Sequence, residues 1–136
     1  MSETLYTGGC HCGAVVFEVL ASSPLLCIRC NCSVCEKKQN IHFIVSKNKF
    51  KLHSGHDSLT TYTFNTHQAK HMFCKICGVQ SFYVPRSNPN GIGVMPHCLD
   101  QQHSVEIQMQ NFNGKDWELE MRTNIGDQLR EISELN

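Results

Sequence analysis

The spacing of the cysteines constrains this chain more than any other feature. Seven of its nine cysteines fall into three short clusters, which read Cys10-His11-Cys12, Cys30-Asn31-Cys32-Ser33-Val34-Cys35 and Cys74-Lys75-Ile76-Cys77. A pair, a triplet and a pair supply one set of four thiolates and one set of three. Zinc bound by four cysteines is closed and structural, whereas zinc bound by three protein ligands keeps an open position for chemistry. The clusters therefore predict a metal scaffold that carries a reactive metal.

The two cysteine pairs are typical of one shared site. Cys10 and Cys12 are two residues apart, so on an extended segment both side chains would point to one face. In the second pair, two intervening residues turn the chain so that both sulfurs meet one ion, and Gly78 supplies the positive φ that often follows. Two such units far apart in sequence commonly complete a tetrahedral four-cysteine site, whose binding energy becomes folding energy.

The triplet permits more than one interpretation. Three thiolates within six residues can grip one face of a zinc ion and leave the opposite side for a fourth ligand. That ligand could be water, a substrate thiol or another protein group, which would close the site. The candidates for closing it are Cys98, Cys27, His42 and His97. Arg29, Lys37 and Lys38 flank the triplet, and nearby cations favour thiolate over thiol.

Cysteine spacing also bears on the compartment. Cysteines one or two residues apart close very short loops, which makes poor structural disulfides, and the N-terminus has neither the basic region nor the apolar stretch of a secretory signal. Reduced thiols that hold metal in the cytoplasm or nucleus are expected. A redox-active Cys-x-x-Cys at 74 and 77 is the alternative, but such sites belong to alternating strand–helix chains, and this pattern is absent.

Length and charge exclude several classes of protein. A chain of 136 residues is the size of one domain and can bury a real core without metal. No apolar run is long enough to span a membrane. The chain carries 12 basic and 12 acidic residues, which argues against a nucleic-acid footprint because such footprints show excess basic charge.

The chain is rich in short segments of β-branched and aromatic residues separated by turn signals, which predicts an all-β domain. The predicted strands cover residues 13–20, 41–45, 59–64 and 81–84, with a weaker one at 91–95. Helix is expected only at residues 36–39 and at 123–135. In the second segment Ile125, Leu129 and Ile132 have helical spacing, but Gly126 interrupts it, so a frayed tail is the alternative.

Few other side chains are candidates for the site. His42 alternates with Ile41 and Phe43, so it points away from them and is either a surface residue or part of the site. Cys27 lies in an apolar run and is interpreted as a buried core thiol. Packing residues are expected at Phe112 and Trp117. Surface positions are expected for His11, His53, His56, His67, His71 and His103.

The order and spacing of the three clusters resemble the signature of the glutathione-dependent formaldehyde-activating enzyme family. The resemblance rests on Gly9-Cys10-His11-Cys12-Gly13, on the triplet, and on Phe73-Cys74-Lys75-Ile76-Cys77-Gly78. It covers roughly residues 4–117. Further stretches at residues 38–45, 61–67, 78–83, 85–89 and 96–100 resemble the centromere protein V branch of that family.

The resemblance implies a fold, two metal sites and a reaction. The fold would be the Mss4-like zinc fold called a β-tent, in a single domain over residues 1–136 with a core at about 4–117 and a C-terminal helix or tail at 118–136. Two zinc ions would be bound, a structural one by Cys10, Cys12, Cys74 and Cys77 and a catalytic-type one by Cys30, Cys32 and Cys35, with Cys98 a candidate fourth ligand in the resting state. The implied activity combines glutathione with formaldehyde to S-hydroxymethylglutathione and is classed as a carbon–sulfur lyase.

The resemblance to centromere protein V also implies an alternative function. A non-catalytic zinc module for assembly with cytoskeletal or centromere proteins would have a closed second zinc and an exposed apolar or charged patch. The long biased arm that precedes this domain in centromere protein V is absent from the sequence, so a role that needs the arm is not implied.

Overall fold

The computed structural model describes residues 3–134, so positions 1, 2, 135 and 136 of the predicted domain lie outside the described residues. The strands are β1 Glu3–Gly9, β2 Val16–Ser22, β3 Leu25–Cys30, β4 Ile41–Ser46, β5 Phe50–Ser54, β6 Leu59–Tyr62, β7 His71–Cys74, β8 Phe82–Tyr83, β9 Gly91–Val94 and β10 Ile107–Phe112. The α-helices are α1 Ser33–Lys38, α2 Trp117–Glu120 and α3 Asn124–Glu134. The all-β prediction is confirmed.

The strands form three sheets that differ in size. One has the order β1-β2-β5, the largest has the order β10-β3-β4-β9-β8, and β6 pairs with β7 in a two-stranded sheet. Neighbouring strands run antiparallel except for β10, which lies parallel to β3 with Phe112 opposite Cys30. Because parallel strands bring their carboxyl ends to one edge, the chain that follows β3 meets the chain that follows β10.

Strand β4 is buried on both faces, which explains its largely apolar sequence. Phe43 and Val45 point into the main core, together with Phe17 of β2 and Phe82 of β8. Ile44 points to the opposite face, into a second apolar cluster that includes Phe112 and residues of α3. The period of two along a strand therefore places His42 on the same face as Ile44, away from the main core.

The C-terminal segment forms a helix rather than a frayed tail. Ile125 and Leu129 of α3 are buried in the second apolar cluster, and Ile132 packs against it. Gly126 permits this packing, because a Cβ at that position would lie 2.1 Å from the backbone oxygen of Met121. Glycine thus interrupts the apolar pattern because the backbone of Met121 approaches this position closely. Leu135, the last residue of the predicted segment, lies outside the described residues.

Among the described helices, none is long and apolar enough to cross a bilayer.

Candidate metal centres

The four-cysteine cluster joins two distant segments of the chain. Cys10 and Cys12 lie just after β1, whereas Cys74 ends β7 and Cys77 follows it in a turn. The expectation of an extended segment at the first pair is wrong, because residues 11 and 12 form a turn. Gly13 has φ 84° and Gly78 has φ 77°, so the predicted positive φ after Cys77 is confirmed. The two turns bring all four sulfurs within 4.8 Å of one another.

The sulfur separations in this cluster fit tetrahedral zinc. With a Zn–S bond of about 2.3 Å, two sulfurs of a tetrahedral site should lie about 3.8 Å apart. The Sγ atoms of Cys10 and Cys12 are 3.6 Å apart, and those of Cys12 and Cys74 are 3.7 Å apart. These two separations therefore fit a tetrahedral zinc site.

Backbone N–H groups point at these sulfurs and favour their ionised form. The N–H of Val15 donates to Cys10 Sγ at 3.3 Å. Hydrogen bonds from the backbone N–H of Val79 and of Cys12 lower the pKa of Cys77 to about 6. Hydrogen bonds to a charged group favour that form, and the thiolate is the form that binds metal.

The triplet lies where β3 passes into α1. Cys30 ends β3, Cys32 precedes the first turn of the helix and Cys35 is buried in α1, and their sulfurs all lie within 4.8 Å of one another. The predicted short helix is present, but it begins at Ser33, inside the triplet. In the part of the chain that the structure describes, no fourth histidine, cysteine or carboxylate side chain joins this group.

Without a cation, the triplet favours ionisation of one thiol and disfavours ionisation of the other two. Hydrogen bonds from Cys30 and Cys35 lower the pKa of Cys32, and hydrogen bonds to Cys30 and Cys32 raise the pKa of Cys35. Three thiolates at this distance repel one another, so their joint ionisation requires a positive charge among them. A divalent metal ion would supply that charge, so this donor set also fits zinc.

Gly114 closes one side of the triplet. A Cβ at this position would lie 2.5 Å from Cys30 Sγ and 2.8 Å from Cys32 Cβ. The backbone N–H of Lys115 donates to Asn31 Oδ1 at 3.1 Å, which fixes the segment after β10 against the triplet. Only glycine allows this approach, because any side chain would displace the sulfur or the backbone.

A line of buried hydrogen bonds ends at the triplet. Asn40 Nδ2 donates to Cys35 Sγ at 3.3 Å, and Asn40 Oδ1 lies 3.2 Å from His42 Nδ1. Tyr83 Oη lies 3.1 Å from His42 Nε2. This network assigns the proton of neutral His42 to Nδ1, so that Nε2 accepts from Tyr83. The line therefore orients Asn40 to donate toward the triplet sulfur.

We expect His42 to make folding stability depend on pH. Burial lowers the pKa of His42 to about 3, below its ordinary value of 6.5. The unfolded chain therefore takes up a proton first, and the free energy of unfolding should fall as the pH drops from about 6.5 toward 3, by up to about 1.4 kcal/mol per pH unit. Urea unfolding at several pH values in this range gives the free energy of unfolding at each pH. This free energy should change less with pH for His42→Gln than for wild type. If the free energy of unfolding depended equally on pH in the two proteins at equal zinc content, the assignment would be contradicted.

The triplet opens into a cavity of about 400 Å³. His42 and Tyr83 line the cavity on one side, and Trp117 and Leu129 of the C-terminal segment line it on another. This volume lies within the range of small-molecule sites, about 300–1,000 Å³. The triplet is thus accessible to a ligand of moderate size.

His71 lies in this cavity, and the expectation that it is a surface residue is wrong. The residue is 2% exposed, stacks on the ring of Tyr83 with centroids 5.2 Å apart, and has no hydrogen-bond partner at Nδ1 within residues 3–134. Burial and the charge of Lys38 lower its pKa, so the imidazole is neutral at pH 7. Its position depends on β7 and on Tyr83 from β8, which local spacing in the sequence does not reveal.

The remaining candidates lie elsewhere. Cys27 is fully buried in the main core, as predicted, and burial raises the pKa of its thiol to about 12. Cys98 belongs to neither cluster. Burial, followed by the charges of Cys10 and Cys77, raises the pKa of its thiol to about 11. Because those two charges act on it, Cys98 lies nearer the four-cysteine cluster than the triplet. Lys38 donates to Gln80, and its ammonium lies over the ring of Phe73.

Sequence reasoning missed four residues around the triplet. They are Asn40, Tyr83, Arg86 and Gly114. The Asn113-Gly114 pair is a turn signal that could have drawn attention to its position, but nothing in the sequence links it to Cys30.

Comparison with known proteins agrees with this geometry. Residues 5–115 match the family model of the glutathione-dependent formaldehyde-activating enzyme. A crystal structure of a Rhodobacter sphaeroides protein, a target of Northeast Structural Genomics, is similar at 34% sequence identity with a TM-score of 0.65, covering 75% of this chain and 99% of that chain. The all-β architecture is the Mss4-like fold that the family resemblance implied. This chain belongs to the glutathione-dependent formaldehyde-activating enzyme family.

Proposed function

We propose that this protein binds two zinc ions and uses the triplet site to add a thiol, glutathione, to formaldehyde. Cys10, Cys12, Cys74 and Cys77 would hold the structural ion, and Cys30, Cys32 and Cys35 the catalytic-type ion. The observation that carries the proposal is the cavity of about 400 Å³ in front of a three-sulfur group that no fourth described histidine, cysteine or carboxylate side chain joins. Family membership supports glutathione and formaldehyde as the substrates.

The reaction requires an ionised thiol in contact with the aldehyde. The sulfur lone pair forms a bond to the carbonyl carbon, the C=O π electrons move to oxygen, and that oxygen takes the proton released by the thiol. A free thiol with a pKa of about 8.5 is only a few per cent ionised at pH 7. When bound, zinc would supply the positive charge that ionises a thiol in the fourth position.

The residues of the chain would position the reactants and exclude water. Asn40 supports the sulfur of Cys35, and Gly114 lies against Cys30 and Cys32, so both restrict how a ligand in the cavity approaches the triplet. His71 lines this cavity, is neutral, and its buried Nδ1 has no hydrogen-bond partner among the described residues, so it is a candidate for a hydrogen bond with the oxygen of the product.

The protein should accelerate formation of the hemithioacetal between glutathione and formaldehyde. Exchange NMR at micromolar protein should show faster interconversion of the free thiol and the adduct than buffer alone. Cys32→Ser should abolish the acceleration, because it removes one of three metal ligands. Cys27→Ala is the matched control, since this thiol is buried in the core outside both clusters, and it should retain the acceleration.

The same experiment separates catalysis from thiol carriage. Zinc already bound by three thiolates is electron-rich, which weakens the nucleophilicity of a fourth sulfur, and the uncatalysed addition proceeds without help. Glutathione binding without faster exchange would make the protein a thiol carrier. If the protein neither bound glutathione nor accelerated the exchange, the proposal would be overturned.

The second candidate function is protein assembly, in line with the resemblance to centromere protein V. The observation that favours it is an apolar strip on the outer sheet, where the exposed side chains of Leu5 and Leu20 lie opposite each other on β1 and β2. A cytoplasmic or nuclear location suits both candidates, since each needs reduced cysteines.

A further inference from the structure

We propose that Arg86, held against Trp117, binds a carboxylate of the thiol ligand, so that the site selects thiols that carry this group. The inference rests on the proposed function, because it concerns the ligand whose sulfur would reach the triplet. Arg86 and the three cysteines line the same cavity. The inference adds a specificity-determining residue on a part of the cavity wall distinct from the metal ligands.

Trp117 fixes the plane of the Arg86 side chain. The guanidinium carbon of Arg86 lies 3.8 Å from the centroid of the Trp117 ring, a stacked cation–π contact. Trp117 in turn packs against the apolar cluster formed by Phe112, Met121 and residues of α3. A guanidinium held in this way loses less freedom when it binds a planar anion, because its orientation is already set.

The polar edge of Arg86 has a donor without a partner. Nε is buried and makes no hydrogen bond to the described residues. Nη2 has only a long contact of 4.0 Å with Glu118, whose side chain is 76% exposed. A buried N–H without a partner is costly, which points to a ligand that supplies the acceptor. Nε and Nη2 together form a fork whose geometry matches the two oxygens of a carboxylate.

The charges around the cavity favour an anion. Lys115 also lines it, whereas none of the described lining residues is an aspartate or glutamate. The two buried histidines are neutral, since burial lowers the pKa of both His42 and His71. The ammonium of Lys115 pairs with Glu36 at 3.2 Å beside the triplet, whereas Arg86 lies 4.0 Å from Glu118. Arg86 is therefore the lining cation best placed to receive a ligand carboxylate.

This part of the wall comes from a segment beyond the family match. The matched residues end at position 115, and Trp117 and Leu129 follow them. The metal ligands thus belong to the shared domain, whereas the support for Arg86 belongs to the C-terminal helices. Ligand selectivity in this chain would accordingly depend on residues outside the matched region.

A matched pair of ligands tests the inference. N-acetylcysteine and N-acetylcysteine amide carry the same thiol, and only the first has a carboxylate. Their binding to the cobalt-substituted protein can be followed by the visible absorption of Co²⁺, which responds to a new sulfur ligand independently of catalysis. Arg86→Gln should weaken binding of the acid by at least about tenfold while changing binding of the amide less than about twofold.

Two further variants separate binding from folding. Trp117→Leu should weaken acid binding in the same direction, because it removes the surface that orients Arg86. Arg122→Gln is the matched control, since this arginine is exposed in the same C-terminal segment and lies outside the cavity lining, and it should leave both affinities unchanged. Should Arg86→Gln fail to fold, Arg86→Lys, which keeps the charge and loses the fork, should still reduce the preference for the acid.

The outcomes distinguish this inference from the proposed function. If neither thiol changes the cobalt spectrum of the wild-type protein, the proposed thiol site is wrong. If the wild-type protein binds both thiols and Arg86→Gln reduces both affinities equally, or neither, the role of Arg86 is overturned while the thiol site stands. If Arg86→Gln weakens binding of N-acetylcysteine but not of its amide, the result supports both the thiol site and the role of Arg86.

Discussion

Replacement of Cys74 by alanine should abolish cooperative folding of this protein. Cys74 is fully buried, belongs to the main core, and its sulfur lies 3.7 Å from that of Cys12, 62 residues away in the sequence. A structural zinc in small zinc modules contributes about 10–16 kcal/mol to folding, which is as large as the entire stability of a typical domain, about 5–15 kcal/mol. Far-UV circular dichroism during urea titration, together with the zinc content of the purified protein, measures the effect.

Cys27→Ala is the control for this result. Cys27 is also fully buried in the main core but belongs to neither cysteine cluster. Its removal should cost only the about 0.5–3 kcal/mol that is usual for a small core truncation, and both zinc ions should be retained. If Cys74→Ala unfolded at the same urea concentration as Cys27→Ala, the four-cysteine cluster would not be the main support of the fold.

Gly114→Ala should remove the second metal ion and leave the first in place. The added Cβ would lie 2.5 Å from Cys30 Sγ, closer than real contacts allow, so the sulfur or the loop must move. Displaced ligand geometry at metal sites typically costs about 10- to 100-fold in affinity. Metal analysis after dialysis against a weak chelator should therefore give two zinc ions per wild-type chain and one per variant chain, with the circular dichroism spectrum preserved.

Gly126→Ala provides the comparison for this variant. Here too the Cβ would meet a close neighbour, the backbone of Met121, but the contact lies in the C-terminal helical segment. This change should lower stability while both zinc ions stay bound. If Gly114→Ala kept two ions at unchanged affinity, Gly114 would not determine the geometry of the triplet.

Some strands could be predicted because their own residues have high β propensity. β4, with Ile41, Phe43 and Val45, is rich in β-branched and aromatic side chains, and the prediction placed it within one residue of its observed bounds. Five strands were not predicted, namely β1, β3, β5, β7 and β10. Of these, β1 and β10 contain polar, largely exposed residues, and their strand conformation comes from pairing with β2 and β3. Tertiary pairing, rather than local propensity, determines these two strands.

The candidate site divides in the same way. The cysteine clusters are local in sequence, so spacing alone placed the sulfurs in the correct two groups. His71, Arg86 and Gly114 reach the triplet through β7, the loop after β8 and the segment after β10, and no local pattern connects them to it. Interpretation of a single sequence identifies ligands that share a segment, but it cannot identify the neighbours that the fold brings to them.

The parallel pairing of β3 and β10 has a consequence for the newly made protein. The three thiols of the triplet leave the ribosome before Gly114, which covers one side of them and comes later in the sequence. Until Gly114 has been added, these closely spaced thiols lack the backbone that protects them in the finished fold. Oxidation within this interval would lock two of them together before a metal could bind. The supply of zinc and of reductant while the chain is being translated, as well as the affinity of the completed site, should govern how much active protein a cell obtains.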